Sequence, residues 1–444
     1  MRHSFEEINA APMMALNNKA ISTEAIRLVA LLTEQLLTLE ERKRQRKASY
    51  KNALLLCVEL VIGDLFKNHR EDAAGWVYRS LDRNKFTDEL IGHTTFITVI
   101  KLMEQDELIE SWKGGNIRNI FYEEGKSSQF HPGLASRFRA TSKLITMVAQ
   151  EGLTFKNAAS HFQTALPRQT IHLRAKKKTL SAGRKDTGAA MKVPQNDQTA
   201  ALKSRVQTIN SYLAANTLEG GLFAGYIRRF SEGDDPDFNW DRGGRLYAVG
   251  SGNYQLMKKA ERLHMRINGH SMAEIDISAS YLTILHSLLD APLPSEEDLY
   301  DVNGLPREVV KAFVTATIGN NKFHNRWPVR LSQELKKDGI DISKLPMRYV
   351  QERICDALPV FDLWQQQPIS WSKLMFLESE QMIATMEALR NEHDIPSYSV
   401  HDSIIFPASD VELCAEIMKQ KFEGQFGVKY RLKAHLPEGH LIAF

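Results

Sequence analysis

The chain has 444 residues, of which 43% are hydrophobic and 25% charged, a balance typical of a globular protein and not of a disordered or fibrous one. No run approaches the roughly 18 consecutive apolar residues that a membrane helix needs, so we expect no membrane partner. The N-terminal segment contains acids and no sustained apolar core, so we expect neither a signal nor a transit peptide and a cytoplasmic location. The length predicts two or three domains.

The net charge of +3 hides two basic segments, residues 41–47 and residues 168–205. Such segments are candidates for contact with nucleic acid. The three cysteines, Cys57, Cys355 and Cys414, lie far apart and form no Cys-x-x-Cys pair. The sequence therefore predicts buried reduced thiols and neither zinc binding nor redox chemistry.

Residues 22–47 predict one amphipathic helix with Ser22 or Thr23 as its N-cap. Its basic end suits the negative end of the helix dipole, and it suits contact with phosphate equally well. We treat residues 1–50 as an N-terminal helical segment with a basic end.

The next hundred residues predict short helices followed by extended segments. Helices are expected at residues 52–66, 73–81, 96–105 and 142–150. Strands are expected at residues 108–113 and 117–122 around a turn at Gly114, Gly115 and Asn116, followed by the segment from Ser136 to Thr141.

Three helices and a β-ribbon, with Arg-Phe-Arg-Ala-Thr before the last helix, resemble the winged-helix modules of replication and mobile-element proteins. The resemblance covers residues 51–164 and implies DNA binding by the third helix, with Arg137 and Arg139 on the DNA backbone. The alternative is a winged helix that contacts only other proteins. Residues 165–205, which contain Pro167, Gly183 and Pro194 but little hydrophobic periodicity, predict a basic linker or an arm that follows a nucleic-acid strand.

The segment Trp240-Asp241-Arg242-Gly243-Gly244-Arg245-Leu246-Tyr247 resembles the Gly-Arg motif of the superfamily that unites DNA polymerase I (family A) with single-subunit phage-type RNA polymerases. In that family the arginine contacts the nucleic-acid backbone, so the resemblance implies this role for Arg245. Glycines beside it would let a phosphate approach the bare backbone.

Two aspartates follow in the order that the resemblance requires. Asp276 ends an apolar strand and precedes a helix, and Asp402 lies at the turn of a hairpin predicted for residues 398–406. The resemblance implies that both bind two Mg²⁺ ions, with Mn²⁺ as a substitute, that the Ile277 carbonyl supports one ion, and that His401 lies beside the primer end. Taken alone, Asp276 could be a helix N-cap, and His401–Asp402 a polar hairpin tip or another catalytic pair.

Arg307 and Lys311 lie four residues apart on a predicted helix, so both cations share one face. This matches the fingers helix that holds the incoming triphosphate, and Lys311 could also protonate the leaving pyrophosphate. The family pattern is broken at Ile318, where an aromatic residue is usual, and at Gly319, which comes one residue early. Phe313, Phe323 and Trp327 are candidate substitutes for the aromatic residue.

Two positions favour different sugars. Tyr281 lies five residues after Asp276, where an aromatic steric gate in other polymerases excludes the 2′-hydroxyl, whereas Ser403 after Asp402 is similar to the RNA polymerases. We therefore expect an α+β, mostly helical protein with a winged-helix domain and a compact polymerase domain of palm and fingers at residues 206–444. The favoured function is a two-metal DNA polymerase, monomeric, with DNA and nucleoside triphosphates as partners.

The alternatives left open are a single-subunit RNA polymerase or primase, and a catalytically inactive DNA-binding replication or regulatory protein.

Overall fold

The computed structural model describes residues 8–9, 11–40, 47–67, 75–86, 89–117, 131–177, 188–250, 253–294 and 298–444. The chain forms an α+β structure with two compact units. The N-terminal unit is Met1–Thr170, Phe223–Gly225 and Val249–Asn253, and the C-terminal unit is Ile171–Leu222, Tyr226–Ala248 and Tyr254–Phe444. No helix among the described residues is both long and apolar enough to cross a membrane.

The N-terminal unit contains five helices among its described residues. They are α1 (Thr23–Thr38), α2 (Ala48–Lys67), α3 (His93–Gln105), α4 (Ser142–Gln150) and α5 (Ala158–His161), with a 3-10 turn at Arg83–Phe86. Ser22 caps α1 by accepting a hydrogen bond from the Ala25 amide. Apolar residues from α1 to α5 form one core, which includes Leu32, Val58 and Val99. The helix predicted at residues 22–47 ends earlier, at Thr38, and it is part of the same core as the elements that follow it.

The strands of this unit form three small antiparallel sheets. They are β1 (Asn18–Ala20), β2 (Val77–Arg79), β3 (Ile109–Trp112), β4 (Gly115–Ile117), β5 (His131–Leu134), β6 (Ser136–Ala140) and β7 (Phe162–Thr164). The strand order is β2-β6-β3 in the largest sheet, and β1 pairs with β7 and β4 with β5.

The predicted helices at residues 52–66, 96–105 and 142–150 are confirmed by α2, α3 and α4. The helix predicted at residues 73–81 is wrong in its described part, because residues 77–79 form strand β2 against β6. The hairpin around Gly114 is also different. Strand β3 pairs with the distant β6, and Gly115 begins β4, while most of the predicted return strand lies outside the described residues.

The C-terminal unit contains nine helices among its described residues. They are α6 (Asp197–Ala214), α7 (Lys259–Arg262), α8 (Ser280–Leu288), α9 (Arg307–Asn320), α10 (Val329–Lys337), α11 (Met347–Ala357), α12 (Val360–Gln366), α13 (Trp371–His393) and α14 (Val411–Phe426). Short 3-10 turns lie at Tyr254–Leu256, Ile342–Lys344, Ala408–Asp410 and Pro437–Gly439.

Two sheets organise this unit. The strands are β8 (Ile171–Arg174), β9 (Ala190–Met191), β10 (Leu218–Glu219), β11 (Tyr226–Phe230), β12 (Gly243–Ala248), β13 (Arg266–Ile267), β14 (His270–Ile277), β15 (Tyr398–Val400), β16 (Ser403–Pro407), β17 (Leu432–His435) and β18 (Leu441–Ala443). The first sheet has the order β12-β11-β8-β9, and only β8 and β11 run parallel in it. The second is antiparallel, with the order β10-β13-β14-β16-β15 and with β17 between β14 and β18.

The segment predicted as a linker at residues 165–205 contains strands and the start of a helix in its described part. Strand β8 buries Ile171 and Leu173 in a small core with Phe230, and Asn196 begins α6 with a capping box. Residues 178–187 of this segment lie outside the described residues, as do residues 41–46 of the other basic segment.

Candidate active site

One cavity of about 870 Å³ lies in the C-terminal unit, where β12, β14, β17, α8, α9, α13 and the β15–β16 turn meet. Its lining includes every site residue that the sequence predicts for this unit. They are Arg245, Asp276, Ile277, Tyr281, Arg307, Lys311, His401 and Asp402. Residues that are up to 157 positions apart in the sequence, from Arg245 to Asp402, therefore share one pocket.

Asp276 lies on strand β14, and Asp402 lies in the hairpin turn just before the neighbouring strand β16. In the antiparallel pair β14–β16, Asp276 is opposite Ser403, and Asp402 immediately precedes Ser403. Val400 pairs with Ser403, so the hairpin turn has only two residues, and His401 adopts a left-handed φ of 57°. Such a conformation is uncommon for a residue with a side chain and fixes the direction of the turn. Both aspartates line the cavity as a result.

The carboxylate of Asp276 has two basic partners. Its Oδ2 accepts from Lys259 Nζ at 2.7 Å and lies 3.1 Å from His435 Nε2. Neither Lys259 nor His435 belongs to a motif recognised in the sequence. By contrast, Asp402 is exposed and forms no hydrogen bond or ion pair within the described part of the chain.

The donor set fits Mg²⁺ or Mn²⁺ in one particular mode. Carboxylates and the Ile277 carbonyl are hard oxygen ligands, and Mg²⁺ commonly uses one or two carboxylates together with waters and substrate phosphates. Among the described residues no group of three or more His, Cys, Asp or Glu side chains could hold a metal by itself. Asp276 and Asp402 therefore fit a metal that is shared with a phosphorylated substrate and do not fit a closed structural metal site.

A buried ion pair supports the strand that contains Asp276. Arg262 donates two hydrogen bonds to Glu274, at 3.0 and 2.9 Å, and Ser403 Oγ donates to Glu274 Oε1 at 2.8 Å. All three residues are buried. Because each partner of a buried charge must be satisfied, this network fixes β14 against β16 on the side of the metal-ligand candidates.

Arg245 is paired inside the protein. It contacts the buried carboxylate of Glu378 on α13, and its guanidinium lies 5.7 Å from the Tyr281 ring centroid. Burial acts against the charge of Arg245, but Glu378 offsets this effect and the pKa of Arg245 is raised. Burial also raises the pKa of Glu378, helped by Asp402 and opposed by Arg245, and it raises the pKa of the Tyr281 hydroxyl.

The backbone conformation explains why two glycines precede Arg245. Gly243 and Gly244 have φ values of 79° and 76°, and the Gly244 carbonyl accepts from Arg228 Nε at 2.7 Å. Arg228 is fully buried and also pairs with Glu380 of α13. The left-handed backbone thus lets β12 lie close to α13, which positions Arg245 against Glu378.

Helix α9 presents two exposed cations to the cavity. Arg307 and Lys311 both line it, and no hydrogen bond or ion pair of Lys311 is found within the described residues. Arg307 Nε is 2.5 Å from Asp298 Oδ2, and its guanidinium lies 5.4 Å from the Tyr300 ring centroid. Ile318 and Gly319, where the sequence departs from the family pattern, line the same cavity.

The suggested aromatic substitutes lie elsewhere. Phe313 and Phe323 belong to an internal cluster with Phe361, and the Trp327 Nε1 donates to the Leu345 carbonyl at 2.8 Å. Phe313 faces away because it is two residues past Lys311 on α9, on the buried side of the helix. The aromatic side chains that do line the cavity are Tyr281, Tyr300, Trp371, His401 and His435.

His401 lies on the wall of the cavity near Tyr247. The two rings meet edge to face with centroids 6.1 Å apart. Partial desolvation and the positive charge of Arg245 lower the pKa of His401, so its ring is biased toward the neutral form.

The two arginines predicted to bind DNA in the N-terminal unit are engaged within that unit. Arg137 is buried, and its Nε donates to the Ile8 carbonyl at 3.0 Å. Arg139 forms an ion pair with Glu110 and lies over the Trp76 ring. Arg137 therefore has a packing role, while Arg139 stays partly exposed.

No protein-family model matches the chain, and no curated protein matches it. Among solved structures, it is similar to the POL domain of Pol1 from M. smegmatis, determined in complex with DNA primer-template and dNTP. The identity is 10%, the match covers 96% of this chain and 68% of that chain, and the TM-score is 0.28. This similarity is too low to assign a family.

Proposed function

We propose that the C-terminal unit is a template-directed nucleotidyltransferase that extends a polynucleotide by two-metal phosphoryl transfer, with DNA as the favoured product. The observation that supports this most is the pairing of β14 with β16. It brings Asp276 and Asp402 to one cavity that also contains the exposed cations Arg307 and Lys311. Phosphoryl transfer needs these groups, namely carboxylates for metals and cations for phosphates.

Each of these cavity residues has its own role in the proposed phosphoryl transfer. Asp276, Asp402 and the Ile277 carbonyl would hold the metal ions, which when bound lower the pKa of the attacking hydroxyl and neutralise the transferred phosphate. Lys311 and Arg307 bind the triphosphate. The primer 3′-oxygen bonds to the α-phosphorus as the α–β bridging oxygen departs with pyrophosphate, and Lys311 donates a proton to that leaving group. The 3′-hydroxyl proton passes to solvent.

Tyr281 supports a preference for deoxynucleotides. Its ring lines the cavity on α8, one turn after the strand that ends near Asp276, and Arg245 lies over it. A ring held in this way would clash with a 2′-hydroxyl on the incoming sugar. Tyr281→Ala should raise incorporation of ribonucleotides relative to deoxynucleotides, and an unchanged ratio would contradict the steric-gate role.

A primer-extension assay with Mg²⁺ tests the whole proposal. The full chain should add nucleotides to a primed template, and both Asp276→Asn and Asp402→Asn should reduce the rate by at least about a thousandfold. Asp338→Asn, an exposed change outside the cavity, is the matched control and should retain full activity. Separate reactions with dNTPs and rNTPs identify the sugar, and a wild-type chain without metal-dependent incorporation would overturn the proposal.

A second candidate is a DNA-binding protein that no longer catalyses. The Lys259–Asp276 ion pair favours it, because the ammonium would have to give up the carboxylate before a metal could bind. Retained DNA binding together with absent incorporation by the wild-type chain would identify this function.

The N-terminal unit is proposed to bind duplex DNA as a winged helix. The arrangement of α2, α3 and a three-stranded sheet of order β2-β6-β3 supports this proposal. Lys101 on α3 is exposed, so Lys101→Glu should weaken binding to duplex DNA in the full chain, while Lys51→Glu on α2 should not. Fluorescence anisotropy at fixed salt measures both. Equal affinities would favour a role in protein contacts.

A further inference from the structure

Several basic side chains line the cavity, but most of their charge is already matched. Arg245 pairs with Glu378, Arg262 with Glu274, Lys259 with Asp276 and Arg307 with Asp298. A bound triphosphate would have to compete with a carboxylate for each of these four cations. The cations that remain for an anionic ligand are therefore few.

Two lysines of the cavity wall make no hydrogen bond or ion pair within the described parts of the chain, namely Lys311 on α9 and Lys433 on β17. Lys311 belongs to the phosphate-binding helix described above. Lys433 comes from a strand near the other end of the unit, and neither the sequence motifs nor the proposed mechanism gives it a role.

Strand β17 places Lys433 on the cavity wall, next to Asp276. Lys433 is directly opposite Asp276 in the antiparallel β14–β17 pair, and residues at such positions lie on the same face of the sheet. Leu432 and Ala434 point to the buried side, whereas Lys433 and His435 line the cavity. Because β17 pairs with β14 on one edge and β18 on the other, the lysine extends from a fixed backbone.

Lys433 also lies within electrostatic reach of the phosphate-binding helix. Asp298, which Arg307 Nε contacts at 2.5 Å, senses both cations. Burial alone would raise the pKa of Asp298, but the net shift is downward because Arg307, the Tyr300 amide and, most weakly, Lys433 favour its carboxylate. The cationic side chains of Arg307 and Lys433 therefore lie near the same carboxylate, and both line the cavity.

We propose that Lys433 is a phosphate ligand that binds the polyphosphate of an incoming nucleoside triphosphate together with Arg307 and Lys311. The inference rests on the proposed function and adds to it a third cation from a different structural element. Lys433 is in register with Asp276 and lines the same cavity as Arg307 and Lys311, so a polyphosphate bound there could contact all three cations.

Binding of inorganic tripolyphosphate and of a fluorescent nucleoside triphosphate to the full chain, without primer, tests this role. Lys433→Met keeps the aliphatic stem and removes the charge. This substitution should weaken the binding of both ligands about tenfold and leave the affinity for the corresponding nucleoside unchanged. Lys433→Arg should restore most of the affinity. Lys429→Met, an exposed lysine outside the cavity, is the matched control and should behave as wild type.

Each result has a defined meaning. Tripolyphosphate affinity within twofold of wild type in a folded Lys433→Met protein overturns the inference. So does weaker Mn²⁺ binding without any loss of triphosphate affinity, because Lys433 would then only balance the carboxylates. If Lys433→Met loses affinity for triphosphate but the wild type does not extend primers, Lys433 is a phosphate ligand and the polymerase proposal fails.

Discussion

The Tyr254 hydroxyl donates a hydrogen bond to the Ser399 carbonyl oxygen 2.5 Å away, and the Ser399 amide donates to the Tyr226 hydroxyl at 2.9 Å. Ser399 is in β15, which is the edge strand of the larger sheet. This strand is one arm of the hairpin whose turn contains Asp402. The two tyrosine hydroxyls, which also bond to each other, occupy the place of a further strand. They therefore fix the position of the Asp402 hairpin from its outer edge.

Removal of the Tyr226 hydroxyl should destabilise the C-terminal unit more than removal of the Tyr254 hydroxyl. Tyr226→Phe leaves the buried Ser399 amide without its partner, which should cost about 1–3 kcal/mol. In Tyr254→Phe, Gln255 Nε2 still donates to the Ser399 carbonyl at 2.8 Å, so the cost should be about 1 kcal/mol. Urea unfolding measures both. Tyr349→Phe, at an exposed tyrosine, is the control and should have almost no effect. A larger loss of stability in Tyr254→Phe than in Tyr226→Phe would contradict the proposed role of the two hydroxyls at the edge of the sheet.

The elements around the candidate site were predictable because their signals are local. Two β-rich apolar runs that meet at a tight turn predict the β15–β16 hairpin, and an apolar strand followed by a helix is predicted around Asp276. The spacing of Arg307 and Lys311 predicts their common face without any tertiary knowledge. These features are confirmed by β14, α8, α9 and the hairpin.

The remaining site residues depend on contacts that no local pattern encodes. His435 reaches Asp276 across 159 positions of sequence because β17 pairs with β14, and Glu378 meets Arg245 because α13 packs on β12. The alternation in Leu432–His435 could have indicated a strand with two cations on one face. Likewise, the strand at residues 77–79 replaces a predicted helix because pairing with β6 outweighs local propensity.

Gly244→Ala should destabilise the protein and disturb Arg245. Gly244 has a φ of 76°, and an added Cβ would lie 3.0 Å from Arg228 Nη2 and 3.1 Å from Phe376 Cδ2. Strain and overpacking together should cost about 1–3 kcal/mol in urea unfolding. Gly424→Ala is the matched control, since it is helical with open space around it, and should stabilise by about 0.5–1 kcal/mol. Equal effects at both sites would contradict the strained-backbone interpretation.

The Arg245–Glu378 pair should matter far more for stability than a surface pair of the same type. The side chains of Glu378 and Arg245 are 1% and 17% exposed, so Glu378→Gln leaves a largely buried guanidinium without its charge partner and should cost about 2–4 kcal/mol. Glu334→Gln removes the exposed i,i+4 partner of Arg330 and should cost less than about 0.5 kcal/mol. Chemical unfolding of both variants gives the comparison, and similar losses would show that the buried pair contributes no more than the surface pair.

Asp64 in α2 gives the N-terminal unit a specific dependence of stability on pH. Its side chain is fully buried and accepts from the Leu16 amide and from Asn18 Nδ2, each at 2.6 Å. Burial raises the pKa of Asp64 from an ordinary value of 3.8 to about 6, although the hydrogen bonds oppose this shift. The folded state therefore holds a proton that the unfolded state has already released, and this group's contribution to stability falls as pH rises from about 4 to about 6.

Comparison of wild type with Asp64→Asn isolates this effect, because the amide does not titrate and other groups cancel in the difference. Urea unfolding at pH 4, 5, 6 and 7 should show the wild type losing about 2 kcal/mol relative to Asp64→Asn between pH 4 and pH 6, with only a few tenths of a kcal/mol more lost by pH 7. Asp82→Asn, which removes a carboxylate at an exposed position, is the control. A difference for Asp64 that is constant with pH, or that grows in favour of wild type as pH rises, would show that the folded protein keeps this carboxylate charged at no cost.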